Sequence, residues 1–327
     1  MSTASQPYIR IKVLKNTFYK GPVLAGGGTG GGAETKTDEE PEESKGESGA
    51  NVANYYKTIL LQIVCATLLS LSGLIILIMV STGAFKELRF PIVTTTPSAV
   101  APGATEGEVV PQGAPTTTFR DMTLFSKISD TGGSISVGYS IAAFCLISGM
   151  AEFAAMGVMS YYSNPHFPGE IIYTMRFLEY SVTASIMQVV ICVQLGIWDW
   201  RALLGIVGLT ITCMLCGIIG ERNVGKDPTT AWLAFGTGCV AFCFTWVQVF
   251  ANFYDTWAQN ADAPAFIWAI VFVEFFLFAL FGVVQFFQIL GDNRDHEEVT
   301  RQYIVLSIAS KMVLAWVVVS QVLANKT

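Results

Sequence analysis

The sequence predicts an all-α membrane protein, a bundle of seven transmembrane helices, and three observations carry that reading. Of 327 residues 52% are apolar and only 13% are charged, against about 25% charged in soluble domains. Beyond residue 57 the chain contains seven apolar segments, each long enough to cross a hydrocarbon core of about 30 Å. The few ionisable residues inside these segments stand near their middles, where a charge must find a partner.

Residues 1–57 read as a disordered polar tail. A basic start gives way to the glycine run "AGGGTGGGA" and then to the acidic stretch "ETKTDEEPEESKGES", a composition too polar to build a core. No apolar run follows the basic residues before position 58, which is not the pattern of a signal peptide. The expected spans are 58–82, 134–162, 170–197, 201–220, 229–254, 264–290 and 301–324. Their ends are marked by Tyr161-Tyr162, Trp198-Asp199-Trp200 and Trp257, as membrane interfaces favour. Residues 83–133, between the first two spans, are rich in Thr, Pro, Gly and Val and predict a small strand pair or an irregular cap. A long tail without a signal puts the N-terminus in the cytoplasm and, after seven crossings, the C-terminus outside. Lysine and arginine near the span ends divide almost evenly and do not decide the orientation.

Several function classes fall away. No basic stripe exists for nucleic acid. All seven cysteines lie in apolar runs, as small bundle- or lipid-facing residues rather than a disulfide framework. Cys213-x-x-Cys216 has a metal-site spacing but no histidine nearby. No catalytic triad or phosphate loop occurs, so a conventional enzyme is not expected.

The charges inside the spans are the informative residues. Lys311 has no charged neighbour from 302 to 325, and an unpaired lysine at mid-membrane costs at least about 2.5–3.5 kcal/mol. At 1.5 Å per residue, Glu152, Glu179 and Lys311 fall in one layer, so two acids and a base can share a buried site. Ser148, Thr183 and Ser307 each lie one helical turn from one of these charges. Each can bond it or bond back to its own helix. Arg176, three residues before Glu179, is expected to pair with it. Glu274, among phenylalanines in the sixth span, reads either as a proton-relay group or as a helix–helix hydrogen bond. A purely structural ion pair is the competing reading for Glu179 and Lys311.

Two motifs add a family. Residues 176–187, "RFLEYSVTASIM", resemble the third-helix signature of the heliorhodopsins, and "LSIASKMVLAW" resembles their seventh helix. The similarity runs from about 58 to 324. Other microbial rhodopsins carry an aspartate where this chain has Ser307. The resemblance implies a rhodopsin-like bundle in which Lys311 carries all-trans retinal as a protonated Schiff base and Glu179 is its counterion. Ser307, Thr183 and Met187 would line the same site. It also implies an inverted topology, with the N-terminus inside and a partly β-structured first loop outside, and a homodimer. In helix two Ser148 matches the family's serine, but Glu152 stands where the family has histidine. Glu152 would then compete with Glu179 for the Schiff-base charge, so one of the two carboxyls is expected to carry a proton. Glu221, at the inner end of helix four, would close the cavity on the cytoplasmic side. Three outputs stay open: a light sensor read by a partner, proton movement through Glu152 and Glu274, and control of a cytoplasmic enzyme through the tail. A helical bundle without retinal is the remaining reading.

Overall fold

The computed structural model describes residues 42–84, 88–100, 117–119, 122–161, 169–255, 265–291 and 296–324. Residues 1–41 of the expected tail lie outside them. Glu47–Thr327 form one unit, and of Met1–Gly46 only the helical stretch from Glu42 is described.

Seven helices follow one another: α1 (Glu42–Ser81), α2 (Val137–Tyr161), α3 (Gly169–Gln194), α4 (Trp200–Asn223), α5 (Pro228–Phe253), α6 (Ala265–Leu290) and α7 (His296–Ala324). All seven are long and apolar enough to cross a membrane. This chain is therefore an integral, multi-pass membrane protein. The first helix begins at Glu42, well before the expected span, although its membrane-length part starts only at Ala53.

The connections are set by turn chemistry. Between α3 and α4 the chain reverses at Gly196, whose φ of 87° suits glycine, and Asp199 then caps α4 through the Arg201 amide at 2.8 Å. Between α4 and α5 Gly225 has φ 70° and Asp227 caps α5. Its carboxylate accepts from the Thr229 and Thr230 amides at 3.1 and 3.3 Å and from the Thr230 hydroxyl at 2.6 Å.

The strand pair expected in the first loop is a three-stranded antiparallel sheet. It comprises β1 (Arg89–Val100), β2 (Thr117–Phe119) and β3 (Met122–Ser136), in the order β1-β3-β2. The sheet docks on the α3–α4 turn. Val93 donates its backbone N–H to the Trp198 carbonyl at 3.0 Å, and the Trp200 indole donates to the Thr94 hydroxyl at 3.1 Å. The Phe90 and Trp198 rings meet with centroids 6.0 Å apart. Because β3 runs directly into α2, the sheet marks one end of the bundle, called here the sheet end.

Small residues let helices approach closely. A side chain at Gly149 would run into Ser70 and the Ala66 carbonyl of α1, and one at Gly217 would strike the Phe177 ring of α3. The core is uneven along its length. Toward the sheet end it is hydrocarbon and aromatic, with Ile141, Ile191, Trp246, Val271 and Val318 in one cluster. The other half buries Tyr173, Tyr180 and Tyr303 together with Arg176, Glu152 and Glu221.

The Asp227 cap makes the first prediction. Its hydrogen bonds, led by the Thr230 hydroxyl, hold the carboxyl below its ordinary value. A lowered folded-state value means that the stabilisation is present above the unfolded value and fades as the pH falls through the folded one. Asp227→Ala should lower the thermal midpoint at pH 7, and the gap from the native protein should narrow as the pH falls below the ordinary aspartate range.

Candidate functional site

The site is built where α2, α3 and α7 face one another. Lys311 is 2% exposed. Its Nζ donates to Glu179 Oε1 at 2.9 Å and to the Ser307 hydroxyl one turn earlier at 2.7 Å, and it lies 4.9 Å from the centre of the Tyr180 ring. Glu179 Oε1 accepts twice more, from Ser148 at 2.5 Å and from Thr183 at 2.8 Å. One carboxylate oxygen thus gathers a cation and two hydroxyls from three helices. Thr183 also bonds back to the Glu179 carbonyl at 3.1 Å, so both readings of that hydroxyl hold at once.

The second acid does not join this pair. Glu152 takes both terminal nitrogens of Arg176, at 2.8 and 3.2 Å, in a bidentate ion pair. Two expectations change with it. Arg176 pairs with Glu152 rather than with Glu179. The two carboxyls also no longer compete for one charge, because each has its own cation. The physical reason is geometric: a guanidinium fork satisfies both oxygens of one carboxylate, whereas an ammonium is a point donor. Two acids and two bases leave the buried group neutral in sum, the arrangement that makes such burial tolerable.

Glu221 and Glu274 lie elsewhere. Glu221 is buried near the far end of α4 and accepts from the Tyr303 hydroxyl at 2.9 Å. Tyr180 donates to the Tyr303 carbonyl at 3.3 Å, which connects that region to the ring beside Lys311. Glu274 is fully buried, and neither carboxyl oxygen has a hydrogen-bond partner. Of the two readings open for it, a proton-relay group or a helix–helix hydrogen bond, the hydrogen bond is not made.

Lys311 also lines a cavity of about 550 Å³, well within the range of small-molecule sites. Its walls come from α3, α4, α5 and α6, and neither α1 nor α2 contributes to them. Thr183 and Met187 line it, as do Phe177, Tyr180, Phe242 and Phe278. A conjugated hydrocarbon ending in an aldehyde needs an apolar space that also presents a primary amine, and this cavity supplies both. Sequence reasoning missed Tyr180, although it directly follows Glu179, and missed the aromatic wall, whose residues are scattered over three helices.

A model of the family described as Heliorhodopsin matches residues 60–323. The chain belongs to the heliorhodopsin family. It is a retinal-binding protein of the rhodopsin type, and the cavity fits that chromophore. Among curated proteins none matches the chain.

The ion pairs make the second prediction. Glu152→Gln leaves the Arg176 charge buried without its partner and should cost about 3–5 kcal/mol of stability. The double variant Glu152→Leu/Arg176→Met should recover most of that loss. Thermal unfolding in detergent, followed by circular dichroism, measures both.

Proposed function

We propose that this heliorhodopsin is a light sensor in which Lys311 holds all-trans retinal as a protonated Schiff base and Glu179 is the counterion. The observation that carries the reading is the buried 2.9 Å contact between Lys311 Nζ and Glu179 Oε1, with Lys311 lining an apolar cavity. In that contact the free amine nitrogen stands in for the imine nitrogen of the loaded protein. When bound, retinal supplies the visible absorption and the double bond that isomerises. The protein's residues manage charge. Glu179 keeps the proton on the Lys311 nitrogen, and Ser148 and Thr183 hold its Oε1 in place. Ser307 fixes the direction of that nitrogen, and Tyr180 offers it the face of a ring. Movement of the nitrogen away from Oε1 removes the charge that holds its proton, so the proton is free to leave.

The sensory output is supported by the large hydrocarbon cluster toward the sheet end, where Ile141, Ile191, Val271 and Val318 are buried together. The rest of the proposal follows the family likeness and the composition of the tail. The N-terminus is cytoplasmic, the C-terminus extracellular, the working unit a homodimer, and residues 1–57 meet a cytoplasmic signalling partner.

A second reading, light-driven or light-gated proton transport, is favoured by one observation. Glu274 is a carboxyl buried in the sixth helix with both oxygens unpartnered, and intramembrane acids of this kind serve proton relays. Glu152 would be the other acid on that path.

Two experiments test these readings. Lys311→Ala, supplied with all-trans retinal, should show no visible band, and colour surviving in it would sink the Schiff-base assignment. Glu179→Gln should lose the visible band at a neutral pH where the native protein keeps it. Whole-cell voltage clamp under green light decides the output. The sensory reading expects no current from a coloured protein, whereas a current abolished by Glu152→Gln or Glu274→Gln establishes transport.

A further inference from the structure

A second group of buried polar atoms lies apart from the site around Lys311. Glu274 Oε1 and Oε2, Trp246 Nε1 and Gln188 Oε1 all lack a hydrogen-bond partner, on side chains of residues that are 0%, 2% and 1% exposed. Contacts between helices put the three residues at one level. The Trp246 ring meets Phe275 and Phe278 at 5.2 and 5.9 Å, so Trp246 of α5 is level with the turn that Glu274 begins on α6. Phe281 meets Tyr180 at 5.3 Å. Seven residues from Phe281 toward the sheet end lead to Glu274, and about as many from Tyr180 lead to Gln188, because α3 and α6 run in opposite directions. The layer lies about 13 Å from Glu179 along α3.

Buried polar groups in native proteins nearly always have a partner, and orphans gathered at one level call for a ligand. As they are placed, the unpartnered atoms do not satisfy one another: one N–H stands against three acceptor oxygens. The hydroxyl of Thr245, next to Trp246, is already spent on its own helix, at 3.1 Å. A ligand rich in donors is required that can also accept from an indole. A metal cation satisfies the oxygens but not the N–H. Water does both.

We propose that Gln188, Trp246 and Glu274 form an internal water site, a second polar layer between the chromophore cavity and the hydrocarbon core at the sheet end. Water there gives the Glu274 carboxyl a partner for proton exchange inside an otherwise dry half of the bundle. The inference extends the transport reading of Glu274. Its test is made in the dark, so a dry layer and an absent photocurrent are separate results.

The test is infrared spectroscopy of the retinal-loaded protein in lipid, with water bands identified by their shift in ¹⁸O-labelled water. The native protein should show a band of weakly bonded internal water. That band should disappear in Glu274→Leu, and in Trp246→Phe and Gln188→Leu, with visible colour retained in each. A water spectrum unchanged in a coloured Glu274→Leu would overturn the site. So would a native protein with no internal-water band at all, a result that needs no variant to fold.

Discussion

An ammonium group in the middle of a membrane is the constraint around which the rest of this bundle is arranged. Lys311 cannot be buried alone, so α3 must bring Glu179 within 2.9 Å of it, and α2 must bring Ser148 to hold that carboxylate. Once Glu179 is committed, Arg176 one turn away needs an acid of its own, and Glu152 supplies it. The close approach of α2 to α1 at Gly149 packs the helix that bears Ser148 and Glu152 tightly against α1. The charges therefore dictate which helices touch and which residues must be small where they do.

The same arrangement explains why the polar half and the apolar half of the bundle differ. Tyrosines on α3 and α7 carry hydrogen bonds from the ring beside Lys311 to Glu221, while the half toward the sheet is filled by branched and aromatic side chains. Lys311 therefore has a hydrogen-bonding region on one side and a mainly hydrocarbon one on the other.

All seven helices are legible in the sequence because length and hydropathy alone specify a span, and Lys311 and Glu179 stand out because charges are rare there. Ser307 and Thr183 follow from helical spacing. The pairing of Arg176 is different. Spacing along α3 points to Glu179, but the true partner sits on another helix, and only the packing of α2 against α3 reveals it. Ser148 likewise spans to α3 instead of serving its neighbour on α2. The aromatic wall is hidden for a related reason: Phe177, Phe242 and Phe278 are ordinary apolar residues until three helices converge. The third strand of the sheet depends on pairing across a loop, which local composition does not encode.

The cavity takes its walls from α3 to α6 and its amine from α7, whereas Ser148 and Glu152 belong to α2, which does not line it. The wall and the polar groups of α2 consequently belong to different helices and meet at Glu179 of α3, which takes the Ser148 hydroxyl and the Lys311 amine on one oxygen. Substitutions on α4, α5 and α6 reshape the cavity without touching α2, whereas a change at Ser148 is felt at the amine through that shared oxygen.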